Sequence, residues 1–175
     1  MINKNDYLYW LNNNDEEITD ETVYREMYSR IGYLFHVIQM IEYNIANIVA
    51  IEEFVKEEKT VYDKIELDTI KAKIDAKFKD LLKTKTFGQL LCYAEKNDYL
   101  KGFDFKELRI IKDYRDYLAH NCFKLKLMNN ELNTIEDADA FVKELNEYEV
   151  KTKNLNKKLI ERFEKVAKQS VLIKK

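Results

Sequence analysis

Eight apolar residues, Tyr24, Met27, Ile31, Leu34, Ile38, Ile41, Ile45 and Ile48, recur at alternating steps of three and four without a miss. On a backbone with 3.6 residues per turn they form one stripe, whereas on a strand they would scatter over both faces. Phe35 and Val49 widen the stripe. The spacing predicts a helix from about Asp20 to about residue 53, with an apolar face that other elements must cover. Gly32 stands inside it at a cost of about 1 kcal/mol relative to alanine. A close crossing by another helix is the expected reason for that glycine.

The rest of the chain extends this pattern. Its 175 residues contain no proline and three glycines, so little in the sequence forces a helix to break. With 46% hydrophobic and 35% charged residues it is long enough for one well-buried core. The expected fold is all-α, an up-and-down bundle of about five helices over residues 20–175, preceded by an N-terminal arm at 1–19. The arm carries Tyr7, Tyr9 and Trp10 and then an Asn-rich acidic run, which lacks the glycine and the final glutamate of a calcium loop. No run approaches the ~18 apolar residues needed to span a bilayer, and the first ten residues hold no signal-peptide core. Cys92 and Cys122 give neither a disulfide framework nor a metal-ligand spacing. A cytoplasmic protein, with no membrane partner, metal or cofactor, is expected. A net charge of -2 leaves no global basic field, so an RNA partner would have to meet a local patch.

Further along, Ile65, Ile70, Ile74, Phe78 and Leu81 predict a second helix from about 61 to 82. Its lysines alternate with acids as on a solvated face, and its basic end, Lys79, Lys83 and Lys85, is a candidate for phosphate contact. Thr86 and Gln89 have the spacing of a capping box that opens a short helix through Ala94. Asn97-Asp98 and Gly102 break the chain, and Asp104 with Glu107 starts the next helix. Phe123, Leu125 and Leu127 alternate, which permits a short strand or an extended arm before the Asn129-Asn130 turn. Thr134 and Asp137 form another cap. The closing helix is expected at about 136–168, with Phe141, Leu145, Tyr148, Leu155, Leu159 and Val166 on its seam and Thr152 and Arg162 interrupting it.

The residues with chemistry lie on the helix from Phe105 to Phe123. Leu108, Ile111, Leu118 and Cys122 make its apolar stripe, and the step between Ile111 and Leu118 is taken by Arg115. A guanidinium in a core-facing seam is costly unless it is paired. Asp116 and His120 are four apart and so are neighbours on the helix surface. A cation, a carboxylate and an imidazole therefore stand within two turns. Arg30 and His36 have a similar separation, but Ile31 follows the arginine and His36 lies off the seam, so a surface or boundary histidine is expected there.

Arg115-Asp116-Tyr117-Leu118-Ala119-His120 resembles the Arg-polar-x-x-x-His motif of the HEPN superfamily of small helical ribonucleases. The Thr86-Phe87-Gly88-Gln89-Leu90-Leu91 segment is similar to the helix entry that precedes the motif helix in several HEPN-like proteins. The resemblance covers about residues 20 to 170 as a helix pattern, with its specific residues between 115 and 120. It implies a metal-independent endoribonuclease of toxin or phage-defence type, with Arg115, Asp116 and His120 as catalytic residues and a cyclic phosphate product. It also implies a composite site in a homodimer joined through the motif helix. Geometry agrees, because residues five apart on a helix diverge by about 140°. Arg115 and His120 of one chain then cannot point into one pocket. HEPN toxins silenced by a nucleotidyltransferase antitoxin often carry a tyrosine where this chain has Cys122. That departure argues against this form of control and leaves open an antitoxin or other protein or RNA inhibitor that acts by another route, or a phage-defence or stress system without that partner. The competing reading is a non-catalytic HEPN-like helical module that binds a protein or RNA partner, its motif serving only dimerisation.

Overall fold

The computed structural model describes residues 20–57 and 67–172. Among them are six helices and no strand: α1 Asp20–Glu57, α2 Leu67–Thr84, α3 Phe87–Lys96, α4 Phe105–His120, α5 Cys122–Met128 and α6 Ile135–Leu172. The protein is an all-α helical bundle. The expected aromatic arm at 1–19 and the start of the second helix near residue 61 lie outside the described residues.

Helices α1 and α6, 38 residues each, are its two long members, each about 57 Å at 1.5 Å per residue. Polar contacts tie them in parallel: Tyr24 Oη to the Leu132 carbonyl just before α6 (3.5 Å), Asn44 to Asn156 (2.8 Å) and Arg162 to Glu52 (2.5 Å). Between these contacts the α1 stripe is buried, with Met27, Leu34, Ile38, Ile41, Ile45 and Ile48 at no more than 1% exposure. It packs with Phe141, Leu145, Leu155 and Leu159 of α6 in one core. Thr152 does not interrupt α6, because its buried hydroxyl donates to the Tyr148 carbonyl one turn back (2.5 Å). Helix α2 lies on α1 with Ile70 and Ile74 against Phe54 and Val55, and Phe78 edge-on to Tyr43.

The capping chemistry is as the sequence suggests. Thr86 and Gln89 exchange both capping-box hydrogen bonds at α3. Thr134 and Asp137 do the same at α6, with Asp137 N–H to Thr134 Oγ1 at 3.1 Å and Thr134 N–H to Asp137 Oδ2 at 3.0 Å. Asp104 caps α4 by accepting from the Lys106 amide (2.8 Å). Asp98, Gly102 and Asn130 take positive φ (59°, 86° and 57°) at the predicted breaks.

Three expectations need correction. Residues 122–128 are helix α5, not a strand or an extended arm. The reason is that Cys122 and Lys126, four apart, both turn inward and both find partners there. Gly32 is not at a helix crossing: a Cβ built on it would meet nothing within 4 Å. And α1 does contain an 18-residue window long and apolar enough to cross a membrane, by length and composition. Isolated charged residues had hidden it from a count of uninterrupted apolar runs. Most of that window is buried inside the bundle, as befits its central helix.

Candidate functional site

Helix α4 presents Leu108, Ile111, Tyr114 and Leu118 to the core, and Cys122 continues the stripe onto α5. Tyr114, not Arg115, takes the seam step after Ile111. Its ring stacks flat on Tyr148 of α6, centroids 3.4 Å apart and planes 3° from parallel, and its hydroxyl donates to Glu144 (3.0 Å). An aromatic ring with a polar tip fits such a boundary, since the ring packs and the hydroxyl finds an acceptor. Burial and the neighbouring Glu144 carboxylate push the Tyr114 phenol well above its ordinary range.

Arg115 is thereby displaced from the seam to its edge, where a third of its side chain is exposed. One N–H of its fork donates to Asp116 Oδ1 (3.1 Å), and Lys112 pairs with the other oxygen of the same carboxylate (2.9 Å). Partial burial would raise the Asp116 carboxyl, but the hydrogen bonds from Lys112 and Arg115 outweigh it and hold the group below its usual range. Asp116 is a carboxylate between two cations, and among the described residues no hydrogen bond joins it to His120. Their four-residue spacing makes them neighbours on the helix surface without joining them among the described residues. His120 is exposed at the last residue of α4, without a hydrogen-bond partner among the described residues.

Glu42 joins the site from another helix. This partly buried carboxyl on α1 faces the pair: burial raises it, the Arg115 charge partly offsets that, and Asp116 raises it further. Its only sequence signal is an acid beside Ile41 at the margin of the apolar stripe. Two acids and two cations, Glu42, Asp116, Lys112 and Arg115, therefore share one edge between α1 and α4. Arg115 keeps donors to spare, because a guanidinium carries five. What the edge can do chemically is offer a planar cation to a phosphate, with the imidazole of His120 further round the helix.

The other candidates sort simply. His36 is exposed, and Arg30 pairs with Glu26 (2.6 Å) and with Glu149 of α6 (3.0 Å), a tether between the long helices. Of the basic residues at the end of α2, Lys79 and Lys83 are exposed, and Lys85 sits over the Tyr93 ring (4.8 Å). Lys85 also lines a shallow cleft with Lys77, Glu53 and Asp80, so that surface is mixed in charge. Neither that cleft nor a second one beside Lys56 and Tyr99 includes Arg115, Asp116 or His120. Cys122 is buried, its thiol donates to the Leu118 carbonyl (3.1 Å), and burial raises it, as for a packing residue. Comparison with models of known protein families, with curated proteins and with solved structures finds no match to this chain.

Proposed function

We propose that this chain is a metal-independent endoribonuclease of the HEPN type, acting in a toxin or phage-defence setting through a composite site in a homodimer. One observation carries the reading: Arg115-Asp116-x-x-x-His120 ends a bundle helix with the guanidinium at a solvent-reachable edge and the imidazole exposed, with no hydrogen-bond partner among the described residues. Cleavage by internal transfer needs a base to take the 2′-hydroxyl proton, a cation for the charge gathering on phosphorus, and an acid for the leaving 5′-oxygen. The 2′-oxygen bonds to phosphorus, the phosphorus–O5′ bond breaks, and a cyclic phosphate and a 5′-hydroxyl result. Histidine serves as base or acid near neutral pH, and arginine's fork suits the phosphate. The 140° divergence of the two side chains is resolved if two α4 helices meet antiparallel across a two-fold axis. One His120 is then the base and the partner's is the acid. Asp116, engaged by Lys112 and Arg115 in the single chain, acts on the guanidinium rather than the imidazole.

The test is cleavage of single-stranded or loop RNA in excess EDTA, where unstacked bases let the sugar reach in-line geometry. His120→Ala is expected to abolish cutting with the fold intact, since loss of a positioned acid–base group costs ~10² to 10⁴ in rate. Arg115→Ala is expected to inactivate, Asp116→Ala to be milder, and His36→Ala to be silent. Wild-type rates from His120→Ala, or a strict need for a divalent ion, would leave the helical interaction module as the reading of this fold.

A further inference from the structure

The outer face of α1 is covered along only part of its length. Where α2 lies on it the face is dry: Phe54 is fully buried against Ile70. Phe54 stands three turns beyond Tyr43, within about 20° of the same side. The cover ends where Phe78 of α2 meets Tyr43 edge-on, centroids 4.7 Å apart. From Tyr43 back toward Asp20 the face is bare, with Tyr33, Met40 and Tyr43 at 43%, 37% and 45% exposure. A solvated helix face normally collects charges, and this chain has 35% charged residues to supply them. Yet none of the exposed positions from Tyr28 to Tyr43 is Asp, Glu, Lys or Arg. An uncharged aromatic strip that continues a packed interface marks a surface that something covers.

We propose that its occupant is the chain's own N-terminal segment Tyr7-Leu8-Tyr9-Trp10-Leu11, docked on α1 between Tyr33 and Met40. Three observations select that occupant. The segment is five consecutive apolar and aromatic residues without a charge, and it holds the chain's single tryptophan. It is within reach: Leu11 precedes Asp20 by nine residues, which span up to about 30 Å. Tyr33 and Met40 lie about 20 and 30 Å along α1 from Asp20. The tether also presents the segment at an effective concentration on the order of millimolar, ahead of a second copy in dilute solution. Finally, the floor matches its chemistry. Tyrosine and tryptophan pack by the ring and keep a polar tip, for which His36, Gln39 and the tyrosine hydroxyls offer partners. A nucleic acid calls for cations, and the exposed positions of this strip hold no lysine or arginine. The polar run at 12–17 spans the helix between Asp20 and Tyr33, so the docked rings leave Gly32 uncovered. Nothing in this contact depends on the ribonuclease reading.

Trp10 reports on the contact directly, because no other tryptophan contributes to the emission. The emission maximum and acrylamide quenching of the full chain are measured against the same chain in urea, for wild type, Met40→Glu, His36→Glu and Leu127→Glu. Circular dichroism confirms the helices in each. Wild type is expected to emit to the blue of the unfolded chain and to be shielded from acrylamide, equally at every point of a dilution series. Met40 and His36 are exposed, so a glutamate at either leaves the core of the bundle untouched. Each is expected to lower the docked population about tenfold, because a carboxylate under the rings must be neutralised or the segment lifted. Both signals then move toward the unfolded-chain values. Leu127→Glu puts the same charge on the exposed apolar end of α5 and is expected to change neither signal. A wild type that emits like the unfolded chain overturns the proposal, as do α1 variants that keep the blue emission with their helices intact. A blue shift lost on dilution assigns the face to a second copy, and one lost only in Leu127→Glu places the segment on α5; either result also overturns it.

Discussion

Glu144 is the acceptor on which three helices converge. From α6 it accepts a hydrogen bond from the Tyr114 hydroxyl of α4 at 3.0 Å and faces Lys126 of α5 at 3.5 Å. Glu144→Ala removes both contacts. A buried tyrosine hydroxyl left without its acceptor costs about 1–3 kcal/mol. Breaking a fully buried ion pair costs about 3–5 kcal/mol. Here the pair is looser, Glu144 is 38% exposed and Lys126 keeps Glu131, so about 1 kcal/mol is the appropriate share once solvent screening is allowed for. The expected loss is about 2–4 kcal/mol. For a chain of this size each kcal/mol lowers Tm by roughly 2–4 °C, which gives a drop on the order of 4–16 °C in a thermal melt. Tyr114→Phe keeps the stack on Tyr148 and removes only the hydroxyl, so it is expected to cost less than Glu144→Ala. In the Tyr114→Phe background the glutamate's loss is expected to cost less than it does alone, as contacting residues in one network behave. A Glu144→Ala protein within 0.5 kcal/mol of wild type, or strictly additive variants, would refute the idea that this carboxylate holds α4, α5 and α6 together.

Gly32→Ala is expected to stabilise by about 1 kcal/mol, a rise of roughly 2–4 °C in Tm, because the added methyl meets nothing within 4 Å; a fall in Tm would show that this face of α1 is covered. The Asp116 carboxyl titrates below its usual range in the folded chain. It therefore contributes stability that is present above the unfolded-state pKa and is lost as pH falls through the lower folded value. Asp116→Asn is expected to flatten that acid limb in urea unfolding measured from pH 6 to pH 2, and an unchanged slope would show that the Lys112 and Arg115 contacts carry no weight.

The bundle was legible because its evidence is local and repeated. The stripe from Tyr24 to Ile48, the Thr86–Gln89 box and the Thr134–Asp137 box need no tertiary knowledge to be read, and each appears where the pattern puts it. Arg115 was misplaced because a stripe can step from Ile111 to either 114 or 115. The two lie 100° apart on the helix, and Tyr148 and Glu144, far along the chain, decide between them. Lys126 was hidden for the same reason: nothing near it in sequence announces that Glu144 and the Phe141 ring will receive it, and without that partner set the alternating Phe123, Leu125 and Leu127 look like a strand. Glu42 gave almost no signal, since its environment is made by α4.

The parallel pairing of α1 and α6 also dictates the order in which the molecule can be assembled. Asn44 meets Asn156, and Glu52 meets Arg162, across 112 and 110 residues of chain. Helical bundles usually fold fast because their contacts are short-range. Here the helix with the long buried stripe waits for the last one, and closing so long a loop has to be accomplished before the contacts that reward it exist. On the ribosome, α1 emerges well before the partner that shields its isoleucines. During that interval the side of α1 that α6 will cover stays open, a state in which a nascent chain is exposed to aggregation or to capture by a chaperone.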